Sequence, residues 1–128
     1  MFNSDWYNSL NKPFLAPPDS VFAPVWSILY AMILISLILY LQGGFRNKSR
    51  GIIYFTIQML LNFSWTFVFF AMKNIGAALF VIILMWIFTA LTISAFSKHS
   101  KFAAVLLIPY IIWISFAFYL NFGYLVLN

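Results

Sequence analysis

Gln58 and Asn62 stand four residues apart in an otherwise apolar run, and Trp65, Thr66 and Phe69 continue the spacing. Steps of three and four put all five on one helix face. A buried amide is costly unless it is hydrogen-bonded. The two amides can tie neighbouring helices together or hold the polar edge of a ligand. Spacing alone puts the tie between helices ahead, and the ligand contact stays open. A second seam runs through Tyr110, Trp113, Ala117, Asn121, Tyr124 and Asn128 at the same steps. Ala117, small between bulky neighbours, either lets a helix approach or leaves room for a ligand. Pro109 removes the backbone hydrogen bond to the carbonyl of Val105, and a kink there would widen the structure locally. Trp26, Tyr30 and Ile33 or Leu34 share a third face. Thr89, Thr92 and Ser94, near Trp86, are expected mostly to bond back to their own helix.

The chemistry that is missing is equally informative. No Asp, Glu, Lys, Arg or His lies within the long apolar runs, and glutamate is absent altogether. Ion-coupled transport usually needs an intramembrane carboxylate. Paired-carboxylate and Ser-His-Asp catalysis have no material here. No cysteine is present, which removes disulfides and thiolate chemistry. His99, flanked by Lys98, Ser100 and Lys101, reads as a solvated interfacial residue rather than a metal or haem ligand. No metal site is expected, and the residues point to no catalytic group.

The elements that must position these side chains follow from composition. The 128 residues are 65% hydrophobic, 22% aromatic and 7% charged, with a mean hydropathy of +0.99. A soluble domain carries about 25% charged residues. The chain therefore reads as a single all-α integral membrane domain, with lipid as its surroundings. A bilayer core needs roughly 20 apolar residues as helix. Four such runs are present, at about 21–41, 51–72, 74–97 and 102–127. Asp19 or Ser20 is a plausible N-cap for the first. The connections are short, so the expected architecture is an antiparallel bundle of four transmembrane helices. Residues 1–20 form a polar, proline-punctuated segment outside the spans. Asp5, Lys12, Pro13, Pro17, Pro18 and Asp19 break any continuous apolar stretch there, so it does not read as a secretory signal.

Arg46, Lys48, Arg50, Lys98 and Lys101 fall on one side of the bundle, Lys12 and Lys73 on the other. The positive-inside rule puts the five in the cytoplasm and both termini outside. The net charge of +5 is not a nucleic-acid signature, because the basic residues sit in short loops between apolar runs. Interfacial Trp and Tyr are normally belt residues, and Trp6, Tyr7 and Tyr40 fit that description. Trp65 and Trp113, away from the ends of their spans, fit it less well.

Four ordered stretches carry a resemblance. They are Trp6, Tyr7, Leu10, Lys12, Pro13, Pro17 and Pro18; VFAPVWSILY at Val21–Tyr30; QMLLNFSWTFVFF at Gln58–Phe70; and AAVLLIPYIIWISFAFYLN at Ala103–Asn121. Together they cover nearly the whole chain. It resembles the tryptophan-rich sensory protein family, the bacterial relatives of the mitochondrial translocator protein. The resemblance implies a bacterial cytoplasmic membrane and a pocket for porphyrins or other flat apolar ligands, with haem or a porphyrin as ligand rather than required cofactor. It implies that residues before the first span fold over the pocket as a lid, with Trp6 packing down and Lys12 facing water or a ligand carboxylate. Carried over by position, the pocket uses Trp26, Tyr30, Asn62, Thr66, Trp113, Ala117 and Asn121, with Trp65 and Phe69 on the Asn62 face. Thr66 is a departure, because some members have an amide there.

The family fold has five membrane helices, the first of them ahead of the Trp-Tyr motif. Only five residues precede Trp6 here. The expectation is that lipid or a second copy, as a homodimer, fills that wall, or that a further helix lies upstream. The C-terminal seam lacks the basic residue of a sterol motif after Tyr110, which argues mildly against a sterol role. The resemblance also implies a light- and oxygen-dependent breakdown of porphyrin, with Trp6, Trp26 and Trp113 as redox-active neighbours. Two readings of other classes stand beside it: an oligomerising structural protein, and a passive carrier of small apolar solutes.

Overall fold

The computed structural model describes residues 22–42, 44 and 46–128. The lid expected at residues 1–20, with Trp6 and Lys12, lies outside them. Helix α1 is Phe22–Leu41 and α2 is Ser49–Thr66, which runs on through a π-helical turn at Phe67–Ala71. Helix α3 is Ile75–Ser97. The last span comprises two helices, α4 at Lys101–Leu106 and α5 at Ile108–Leu127. Among the described residues, four helical segments are long and apolar enough to cross a bilayer: Pro24–Leu41, Ser49–Ala71, Ile75–Ser97 and Lys101–Leu127. The chain is an all-α integral membrane protein, and no strand occurs among the described residues.

Local chemistry sets where the helices start and stop. Lys73 turns the chain with φ of 55°, and Asn74 then caps α3 by accepting from the Ala77 N–H at 3.0 Å. Ser100 caps α4 in the same way, accepting from the Ala103 N–H at 3.1 Å. The kink expected at Pro109 takes the form of a break two residues earlier. The Leu107 N–H reaches back three residues, to the Ala104 carbonyl, at 3.1 Å. Pro109 then falls in the first turn of α5, where a missing N–H costs nothing.

Helix α3 is the hub. It packs along α2 on one side and against α4 and α5 on the other, and α1 leans on α4 and, more lightly, on α5. Ser36 Oγ donates to the Ala103 carbonyl at 2.7 Å, and Trp86 Nε1 donates to Ser115 Oγ at 2.9 Å, fastening α1 to α4 and α3 to α5. Such direct bonds matter in a bilayer, because lipid tails give apolar side chains little reason to prefer protein. Ile28, Leu34, Phe63, Phe80 and Ile112 accordingly point outward. The main core contains Leu29, Ile33, Ile82, Met85, Phe96, Leu107, Tyr110 and Ile114. A smaller one holds Phe69, Ala78, Leu120 and Tyr124.

Tyr40 corrects the expectation of a belt residue. It is 1% exposed and stacks on Phe96 with ring centroids 4.0 Å apart. Its hydroxyl donates to the Lys48 carbonyl at 3.1 Å. Gly51 makes room for it, since a Cβ there would sit 2.6 Å from Tyr40 Cζ. Thr92 bonds back to the Phe88 carbonyl at 2.7 Å, as expected.

Candidate functional site

A continuous chain of side-chain hydrogen bonds crosses the bundle between α1, α2 and α5. Tyr30 OH donates to Asn62 Oδ1 at 2.6 Å. Asn62 Nδ2 donates to Tyr110 OH at 2.8 Å, and Tyr110 OH donates onward to Gln58 Oε1 at 2.7 Å. Gln58, Asn62 and Tyr110 are each 1% exposed or less. The four-residue spacing of Gln58 and Asn62 brings both amides to the same phenol. Both polar atoms of Asn62 are occupied within the protein. Gln58 Nε2, by contrast, has no protein partner among the described residues.

Aromatic faces gather around this chain. Trp26 lies against Tyr30 with ring centroids 5.6 Å apart, and meets Trp113 edge-on at 6.1 Å and Tyr110 edge-on at 6.5 Å. Trp26, Tyr30 and Trp113 are half-buried. They therefore keep part of their surface outside the packed core, while α1 and α2 meet only lightly. Ala117 is buried on the same α5 face as Trp113 and Tyr110.

Trp65, Phe69 and Asn121 form a second group. Trp65 Nε1 donates to Asn121 Oδ1 at 2.9 Å, and Asn121 Nδ2 donates to the Ile75 carbonyl at 3.0 Å. The Asn121 amide thus ties α2 and the start of α3 to α5. Phe69 stacks on Trp65 with centroids 5.2 Å apart and meets Tyr124 edge-on at 6.1 Å. The π-helical turn, in which the Met72 N–H reaches the Phe67 carbonyl at 3.0 Å, adds a residue to the turn that holds Phe69. The Thr66 hydroxyl lies 3.4 Å from the Asn62 carbonyl of its own helix.

The carried-over residues therefore divide. Trp26, Tyr30, Asn62 and Trp113 come together, while Trp65, Phe69 and Asn121 build a separate joint. Tyr110 and Gln58, not chosen as site residues from sequence, complete the first group. Their signal was present, since both lie on the seams that carry Asn62 and Trp113.

These features define a helical membrane protein, with four spans among the described residues and a polar chain backed by an aromatic cluster. The TspO/MBR family matches residues 1–127, and the chain belongs to that family. It is 45% identical over 125 residues to the tryptophan-rich protein TspO of Chlorobaculum tepidum, covering 96% of this chain and 79% of that one. It is 39% identical over 124 residues to the tryptophan-rich sensory protein of Cereibacter sphaeroides, with 97% and 77% covered. The human translocator protein is 38% identical over 122 residues, with 91% and 71% covered.

Proposed function

We propose that this protein is a membrane sensor that binds flat apolar ligands of the porphyrin class against Trp26, Tyr30 and Trp113. The observation that carries this reading is the aromatic cluster around Trp26, half-buried and backed by the Tyr30–Asn62–Tyr110–Gln58 chain. Ring faces offer stacking area to a macrocycle. The Asn62 amide is already used twice, so in this reading it holds Tyr30 and Tyr110 in place instead of touching the ligand. Gln58 Nε2 is a buried amide donor behind these rings with no partner among the described residues. The sensory name of the relative from Cereibacter sphaeroides and the translocator name of the human one fit a membrane ligand-handling role. In this reading the basic end faces the cytoplasm of a bacterial cell and the protein works as a homodimer. Any light-driven breakdown would be the chemistry of the bound macrocycle, which Trp26 and Trp113 position.

The test is a titration of the purified protein in detergent with protoporphyrin, followed by tryptophan fluorescence. Saturable quenching supports the reading. Linear quenching without saturation would mean that the macrocycle only partitions into the micelle. One observation favours a second reading, a structural protein without a specific ligand: Asn62 and Asn121 both spend their amides on interhelical bonds. Linear quenching would move that reading ahead.

A further inference from the structure

The end of the bundle opposite Lys73 collects five of the seven basic residues of the chain: Arg46, Lys48, Arg50, Lys98 and Lys101. Two loops bring them together. His99 Nε2 donates to the Asn47 carbonyl at 3.2 Å, and the His99 ring meets Tyr40 edge-on at 5.5 Å. Asn47 holds φ of 59°, in the left-handed region. Lys48 is used internally. It is 8% exposed, donates to the Gln42 carbonyl at 2.9 Å and lies 5.6 Å from the Tyr40 ring centre. The other four cations are exposed. No Asp or Glu side chain occurs among the described residues to neutralise them, since Asp5 and Asp19 lie outside that range.

Exposed apolar residues follow these cations within one helical turn. Ile53 follows Arg50 on α2 and is 54% exposed, while Phe102 and Val105 follow Lys101 on α4 at 64% and 58%. A rim of cations above an outward apolar wall matches a molecule with an anionic head and hydrocarbon chains. A free anion has no use for that wall.

We propose that this end is a binding site for an anionic phospholipid. Arg46, Arg50, Lys98 and Lys101 hold the phosphate, and the acyl chains lie along Ile53, Phe102 and Val105. The His99–Asn47 bond joins the two loops so that the four cations act on one headgroup region. The site is independent of the porphyrin reading. Its electrostatic part is screened by salt.

The test is retention of lipid by the full chain in detergent, read by native mass spectrometry with dioleoylphosphatidylglycerol and dioleoylphosphatidylcholine in equal amounts. The expected result is about a fivefold preference for the anionic lipid, reduced by raised salt before transfer. Arg46→Gln/Arg50→Gln and Lys98→Gln/Lys101→Gln should each lose part of it, and the quadruple variant all of it. The two double variants decide the matter if the quadruple one does not fold. Lys73→Gln, at the other end, should keep the preference. Equal retention of the two lipids, or equal losses in Lys73→Gln and the double variants, would overturn the proposal. Displacement of the lipid by inorganic phosphate at matched ionic strength would overturn it too, because the site would then be one for a free anion.

Discussion

The interior polar chain and the basic end solve the same problem by different means. Tyr30, Asn62, Tyr110 and Gln58 bond one another side chain to side chain, inside the spans and across three helices. At the basic end Tyr40, Lys48 and His99 each bond a backbone carbonyl, those of Lys48, Gln42 and Asn47. In hydrocarbon no water can replace a lost partner, so the interior chain depends on the identity of each residue. At the membrane surface water and headgroups can substitute. What that end requires is shape, namely the space at Gly51 and the turn at Asn47. Function that needs fixed walls therefore belongs to the first region, and adaptable contact with the surroundings to the second.

The comparison can be broken most forcefully at Asn62. Asn62→Ala removes two bonds, taking the acceptor from the Tyr30 hydroxyl and the donor from the Tyr110 hydroxyl, and should cost about 2 kcal/mol by thermal or denaturant unfolding in detergent. Gly51→Ala tests the shape requirement at the other end. The added methyl meets the Tyr40 ring, and the expected loss is about 1–2 kcal/mol in the same assay. If Gly51→Ala is neutral, the packing around Tyr40 is looser than described. Tyr110→Phe keeps the ring and removes only the hydroxyl between Asn62 and Gln58, for about 1 kcal/mol. The smallest effect belongs to His99→Ala. Its surface bond is replaceable by water, and a change within about 0.5 kcal/mol is expected. A His99→Ala loss as large as that of Asn62→Ala would erase the distinction between the two regions.

Much of this was legible in the sequence because a bilayer imposes length and charge rules. The four spans and the grouping of Arg46, Lys48 and Arg50 with Lys98 and Lys101 follow from run length and short connections. The two polar seams follow from three- and four-residue spacing. Their pairing does not, because spacing along one helix says nothing about how it crosses another. Asn62 meets Tyr110 while Trp65, one turn on, meets Asn121. Tyr40 was misjudged because its place near a span end resembles a belt position. Only Gly51, eleven residues later, reveals the space that buries it. The π-helical turn at Phe67–Ala71 and the break at Leu107 have no residue signature of their own, although Pro109 marks the neighbourhood of the second.

The most direct measurement is the protoporphyrin affinity of Trp113→Ala beside that of the wild type, with unfolding followed on the same samples. Trp113 lies at the aromatic cluster but contributes none of the bonds in the Tyr30–Asn62–Tyr110–Gln58 chain. If the ring faces bind the macrocycle, affinity should fall about tenfold, which corresponds to about 1.4 kcal/mol, in protein that remains folded. An unchanged affinity in folded protein would contradict the assignment of the ligand to Trp26, Tyr30 and Trp113.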